Sequence, residues 1–131
     1  MAEGIVGPDG IAVVDKPAGW TSHDVVAKCR GILGTRKIGH SGTLDPGATG
    51  VLVLGVGVAT RLLRYLTPLP KSYEATILFG AETNTQDAAG DVTATHDMRG
   101  LDPGVVSGAA QRFVGHIEQV PPMVSALKVD G

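Results

Sequence analysis

One aspartate, Asp45, stands alone in a loop made of glycine, proline and small hydroxyl residues. Lys37 to Leu52 reads KIGHSGTLDPGATGVL, and Asp45 is the only acid between Asp24 and Glu74. A carboxylate can act as a nucleophile or a general base without any metal. Pro46 fixes φ directly after Asp45 and biases Asp45 itself toward an extended backbone. Gly39, Gly42 and Gly47 allow positive φ or a close approach of the backbone to a ligand. Asp-Pro-Gly is also good turn chemistry in its own right, so the residues alone leave a turn role open. Tyr73 has a similar double reading. It opens an alternating stretch as a packed edge residue, or it stacks on a flipped base as aromatics do in nucleobase enzymes.

Other chemistries fit less well. A P-loop needs its lysine after the glycines and before a helix, whereas Lys37 precedes them and the loop leads into an apolar strand. Gly55-Val56-Gly57 lacks the third glycine of a dinucleotide fingerprint. His23, His40, His96 and His116 are isolated, with no Cys/His cluster at metal-ligand spacing, so no metal is expected. Ser41, His40 and Asp45 form a triad on paper only, because no nucleophile elbow surrounds Ser41. Ser41 reads as loop packing.

Charge is unevenly spread. Val25 to Tyr73 carries seven cations, Lys28, Arg30, Arg36, Lys37, Arg61, Arg64 and Lys71, against the one anion Asp45. The first 24 residues hold four acids and one base, and residues 74–131 hold eight acids and three bases. The formal −2 of the whole chain hides that contrast. A basic segment suits an anionic partner such as a nucleic-acid backbone, and Arg36, Lys37, Arg61 and Arg64 are the candidates for phosphate contact. The alternative is an ordinary surface whose charges are balanced in space by the acidic flanks.

The elements that must hold these residues can be read along the chain. At 131 residues with 43% apolar content, the sequence is one domain, or a piece of one, with material for a core. Ile11–Val14 reads as a buried strand. Thr21 or Ser22 can cap a helix in which Val25, Val26, Cys29, Ile32 and Leu33 repeat at helical spacing, with Asp24 at its positive end and Gly34 as the stop. The loop from Lys37 to Ala48 leads into a central strand over Gly50–Val58, then a short basic helix over Ala59–Leu66. Tyr73–Phe79 alternates as a strand, Gly80–Gly90 is polar loop, and Asp91–Thr95 reads as a paired strand. Asp102-Pro103 starts a helix with Ala109, Ala110, Phe113 and Val114 on one stripe. Ile117–Val120 and Ser125–Val129 read as strands around Pro121-Pro122. The class implied is α+β, a mixed, mainly antiparallel sheet with helices packed on it. Cys29, the single cysteine, falls on the apolar helix face and reads as core. A lone cysteine, no membrane-length apolar run and an acidic N-terminus without a signal-peptide pattern lead to the expectation of a cytoplasmic protein.

The string KIGHSGTLDPGATGVLVL resembles the signature of the TruB family of tRNA pseudouridine synthases, whose dyskerin-like guide-RNA relatives share much of it. VVDKPAGWTSHDVV, Val13 to Val26, is similar to the family's first motif. KSYEATILFGAETNTQDAAGDV, Lys71 to Val92, is similar to its tyrosine-bearing strand and following loop. VPPMVSALKVDG, Val120 to Gly131, is similar to the segment before its RNA-gripping insertion. The resemblance implies a catalytic Asp45 that attacks the T-loop uridine of tRNA, at the ribose or at the base, or assists cleavage through a glycal. The uracil then rotates and rejoins through carbon, with no cofactor. It implies that Tyr73 stacks on the flipped uracil, that His40 holds the opened T-loop, that Lys16 and Pro17 buttress the catalytic loop, and that Asp87 lies in a loop near the site. It also implies a tRNA T-arm partner, no membrane or metal partner, and a monomeric full-length form.

By the same resemblance, Met1–Gly131 is the N-terminal portion of a pseudouridine synthase catalytic domain. The expected missing parts are a later arginine that pairs with the aspartate, an apolar residue against the base, the RNA-gripping insertion and the C-terminal RNA-binding domain. Three other readings stay open at this level: a dyskerin-like guide-directed rRNA enzyme, a non-catalytic RNA-binding module, and a fragment that does not fold alone.

Overall fold

The computed structural model describes residues 7–120, which fall into two units divided between Ser72 and Tyr73. In the first unit β1 (Gly10–Lys16), β2 (Ile38–His40) and β3 (Gly50–Val56) form one sheet in the order β1-β3-β2. Both pairings are antiparallel, with Val14 opposite Leu52 and His40 opposite Leu54. β3 is central, as its Val/Leu run suggests, bonded to β1 on one side and to β2 on the other.

One sheet face makes the core. Leu52, Leu54 and Val56 alternate on it, and α1 (Ser22–Leu33) lays Val25 and Val26 against them, with Ile38 completing the buried cluster. Ala12, Val14, Cys29, Leu33 and Leu44 pack around its margin. Each fully buried aliphatic side chain contributes about 1.5–3 kcal/mol. The helix starts where its caps say it must. Thr21 Oγ1 accepts the Asp24 N–H at 3.0 Å, and the Asp24 carboxylate accepts the Thr21 N–H at 2.8 Å. This reciprocal capping box satisfies two end donors, and Gly34 closes the helix at φ 62°.

Within this unit's described residues, the opposite face is covered at one end. There Gly39 and Gly55 lie opposite each other in the register, and a 3-10 segment (Gly57–Leu62) running into α2 (Leu63–Leu66) crosses them. A Cβ on Gly55 would stand 2.9 Å from the Ala59 carbonyl oxygen, so this crossing needs glycine. Gly57, at φ +60°, turns the chain into the 3-10 segment, and Asp9 Oδ1 accepts the Val58 N–H at 2.6 Å to start it. Elsewhere on that face Val13 is 68% and Val51 71% exposed.

In the second unit β4 (Ala81–Thr83) and β5 (Val92–Thr95) form an antiparallel hairpin with a register shift at Glu82/Thr83. α3 (Pro103–Gln111) begins at Asp102, whose carboxylate accepts the Gly104 N–H at 2.8 Å. The α+β class and the mainly antiparallel pairing are those expected. Several elements differ. β2 forms inside the expected Lys37–Ala48 loop, β4 inside the expected Gly80–Gly90 loop, and the first half of the Ala59–Leu66 helix is 3-10. Tyr73–Phe79 is not a strand, and neither is Ile117–Val120. Their alternation finds no partner strand among the described residues, and every residue from Tyr73 to Phe79 is exposed. Phe113 and Val114 lie past the end of α3 and are exposed, so the expected apolar stripe meets no core among the described residues. Ser125–Val129 lies outside the described residues.

Candidate active site

Asp45 lies on the connection between β2 and β3, and that connection is fastened on both sides of it. Before it, Leu44 is held by Ser22, the first residue of α1. The Leu44 N–H donates to Ser22 Oγ at 2.9 Å and the Ser22 hydroxyl donates to the Leu44 carbonyl at 3.3 Å. The Leu44 side chain also packs on the core. After it, the Pro46 carbonyl accepts the Gly19 N–H at 2.8 Å and the Lys16 ammonium at 3.3 Å. Lys16 has no exposed surface, and its Nζ also donates to the carbonyls of Trp20 at 2.6 Å and Pro17 at 3.0 Å. A buried ammonium needs such partners, and three backbone oxygens from two loops supply them. The β1–α1 turn and the Asp45 loop are therefore joined through one side chain.

Between these fixed neighbours the Asp45 carboxylate is exposed and makes no hydrogen bond or ion pair among the described residues. The local turn is closed by its backbone, the Asp45 carbonyl accepting the Ala48 N–H at 3.0 Å. Three aspartates of the second unit behave differently. Asp87 Oδ1 accepts from Thr85 Oγ1 and the Ala89 N–H, Asp97 Oδ1 from the Arg99 N–H, and Asp102 from Gly104. The Thr85 hydroxyl and the Ala89 N–H hold the Asp87 carboxyl below the usual carboxylate range, and the Arg99 guanidinium and N–H do the same for Asp97. Their carboxylates are used to build turns, whereas that of Asp45 is not. Of the two roles the residues left open, the turn does not use the Asp45 side chain.

His40 ends β2 and is half-buried beside this loop. Its Nδ1 lies 2.7 Å from the Gly42 carbonyl, which can only accept, so Nδ1 carries the proton and a neutral ring keeps Nε2 as an acceptor. His23 on α1 meets the His40 ring edge-on at 5.4 Å. Ser41 is buried, as its reading as loop packing requires. Gly39, Gly42 and Gly47 do not take positive φ. Gly39 instead makes room for Leu63, and Gly42 passes under the Lys71 stem.

Arg36 and Lys37 lie on the turn before β2, Arg61 in the 3-10 segment and Arg64 in α2, all exposed. Arg64 stacks over the Tyr65 ring at 4.6 Å. Among the described residues the ion pairs are Glu82–His96 and Asp97–Arg99, both in the second unit. Among the described residues the cations of the basic segment make no ion pair with a carboxylate. Tyr73, 71% exposed, and Asp87 belong to the second unit. Sequence reasoning placed Ser22 only as a possible cap. Its bond to Leu44, across 22 residues, leaves no local signal. Among the described residues no helix is long and apolar enough to cross a membrane, and no group of histidine, cysteine and acidic residues could hold a metal ion.

A strand–helix–sheet unit thus fixes the backbone on both sides of Asp45 and leaves its carboxylate without a hydrogen bond among the described residues. Comparison with known proteins gives the family. Residues 30–131 match the model of the TruB family pseudouridylate synthase N-terminal domain. The chain is 56% identical to tRNA pseudouridine synthase B of Thermobifida fusca over 94% of its own length and 42% of that protein's. It is 52% identical to the Streptomyces griseus protein of the same name over its whole length and 44% of the relative's. A chain in the crystal structure of a Cbf5-Nop10-Gar1 complex superposes with a TM-score of 0.59 at 31% identity, covering 91% of this chain and 31% of that one. The chain belongs to the TruB family of pseudouridine synthases. It spans about two fifths of the length of the curated relatives it matches.

Proposed function

We propose that these residues form the N-terminal portion of the catalytic domain of a tRNA pseudouridine synthase that isomerises the T-loop uridine. The observation that carries this reading is the fastening of Leu44 and Pro46 around an unengaged Asp45 carboxylate. A reacting group must be held in place while its functional atoms stay free, and positioning of that kind is a large part of catalysis. Asp45 attacks the uridine or assists its glycosidic cleavage, the base turns, and the carbon–carbon bond to the ribose forms at C5 with release of the C5 proton. Tyr73 stacks on the flipped uracil, and Asp87 lies in the loop close to it. His40 offers Nε2 to the opened T-loop, and Lys16 holds the catalytic loop from beneath. Arg36, Lys37, Arg61 and Arg64 meet phosphates of the T-arm. The reaction needs no cofactor or metal, the full-length form works as a monomer, and tRNA places it in the cytoplasm.

A stand-alone tRNA enzyme is preferred to a guide-directed one because identity is 52–56% to the tRNA synthases and 31% to the Cbf5-complex chain. The test is tritium release from [5-³H]uridine tRNA by a full-length enzyme carrying these residues. Release from tRNA, abolished when the T-loop uridine is replaced by cytidine, supports the reading. Release only in the presence of a guide RNA, or none at all, overturns it.

A further inference from the structure

We propose that Ser22 is a positioning residue for the reaction, acting through the Leu44 peptide on Asp45. The inference rests on the reading of Asp45 as the reacting carboxylate. Ser22 is 1% exposed, and α1 does not need its hydroxyl, because Thr21 supplies the N-cap. Instead both functions of the hydroxyl go to the backbone of a single residue far along the chain. It accepts the Leu44 N–H at 2.9 Å and donates to the Leu44 carbonyl at 3.3 Å. With the Leu44 side chain seated on the core, that residue is fixed at backbone and side chain together. Asp45 is the next residue, so its Cα stands about 3.8 Å from a fixed point. The Lys16–Pro46 tie holds the other side. Ser22 thus sets where the carboxylate begins, and Lys16 where the loop leaves.

A small displacement at a reacting group is costly, with a 1 Å misplacement worth about a hundredfold in rate. In a full-length enzyme, Ser22→Ala should lower kcat by about tenfold to a hundredfold while KM for tRNA stays within about twofold, since Ser22 touches no RNA-facing group. Ser22→Cys fills the same space with a poor hydrogen-bond partner and should lose kcat similarly; if Ser22→Ala does not fold, it decides alone. Thr21→Ala removes the neighbouring cap without touching Leu44 and should leave kcat nearly unchanged. Hydrogen exchange at the Leu44 amide should quicken in both Ser22 variants and not in Thr21→Ala. Equal kcat losses in the Thr21 and Ser22 variants would reduce Ser22 to a stability residue and overturn the proposal. So would Ser22 variants that keep kcat within twofold. Asp45→Asn is run beside them. If that variant turns over, the Asp45 reading itself falls, whatever the Leu44 amide shows of the tether.

Discussion

Replacing Lys16 by methionine separates the fastening of the loop from its packing. Methionine fills nearly the same volume and keeps the buried space occupied. The ammonium is lost, and with it the bonds to the carbonyls of Trp20 at 2.6 Å, Pro17 at 3.0 Å and Pro46 at 3.3 Å. Hydrogen bonds to a charged group contribute about 1.5–3 kcal/mol each. Three of them give a gross loss of about 5–9 kcal/mol, offset by the several kcal/mol that burying an ammonium costs. Pro17 and Trp20 are exposed residues whose carbonyls can turn to water, and Pro46 keeps its bond from Gly19. The net destabilisation should therefore be modest, about 1–3 kcal/mol by urea titration. Turnover should suffer more, because the far end of the Asp45 loop then hangs on one bond. A hundredfold loss of kcat, about 2.7 kcal/mol, is expected in a full-length enzyme by single-turnover tritium release. A Lys16→Met enzyme with unchanged urea midpoint and kcat within twofold would refute the idea that the ammonium ties the two loops.

Changing Arg36 and Lys37 to Ala should flatten the salt dependence of tRNA binding by about two units of log–log slope, and an unchanged slope would make them ordinary surface charges. Thr21→Ala should cost about 1 kcal/mol of stability through loss of the capping box. The Asp24 carboxyl is held below its usual range chiefly by the Thr21 hydroxyl and backbone N–H. Its contribution is thus full above the ordinary carboxylate pKa and fades as pH falls through the lowered one. Asp24→Asn should flatten the acid limb of a stability–pH curve, and a curve as steep as the parent's would contradict this. The 131-residue chain alone should self-associate through the open sheet face around Val13 and Val51 and convert no uridine, and a monodisperse, active monomer by light scattering and tritium release would contradict both.

How much of this was legible in the sequence depends on how local each signal is. Thr21, Asp24 and Gly34 mark the ends of α1 by short-range chemistry, and the structure uses all three. The Val/Leu run of β3 pointed to a central strand, and the strand is central in its sheet. β2 was hidden because it is three residues long with a glycine in the middle, which leaves Ile38 as its only aliphatic residue and no alternation to read. Tyr73–Phe79 misled in the other direction, since alternation describes a strand's faces and not the partner it must bond. Within the site, Asp45 stood out by its isolation among cations. The features that fix it, Ser22 to Leu44 and Lys16 to Pro46, span 22 and 30 residues and are visible only in three dimensions.

The central claim is that the Asp45 carboxylate, left free by the loop that carries it, is the group that reacts. Asp45→Asn in a full-length enzyme preserves the shape of the side chain and removes its charge and nucleophilicity. Single-turnover tritium release from [5-³H]uridine tRNA, run beside a tRNA-binding titration, should show pseudouridine formation lost by many orders of magnitude. Binding should stay within about tenfold, or roughly 1.4 kcal/mol. Turnover above a few per cent of the parent enzyme would contradict the account.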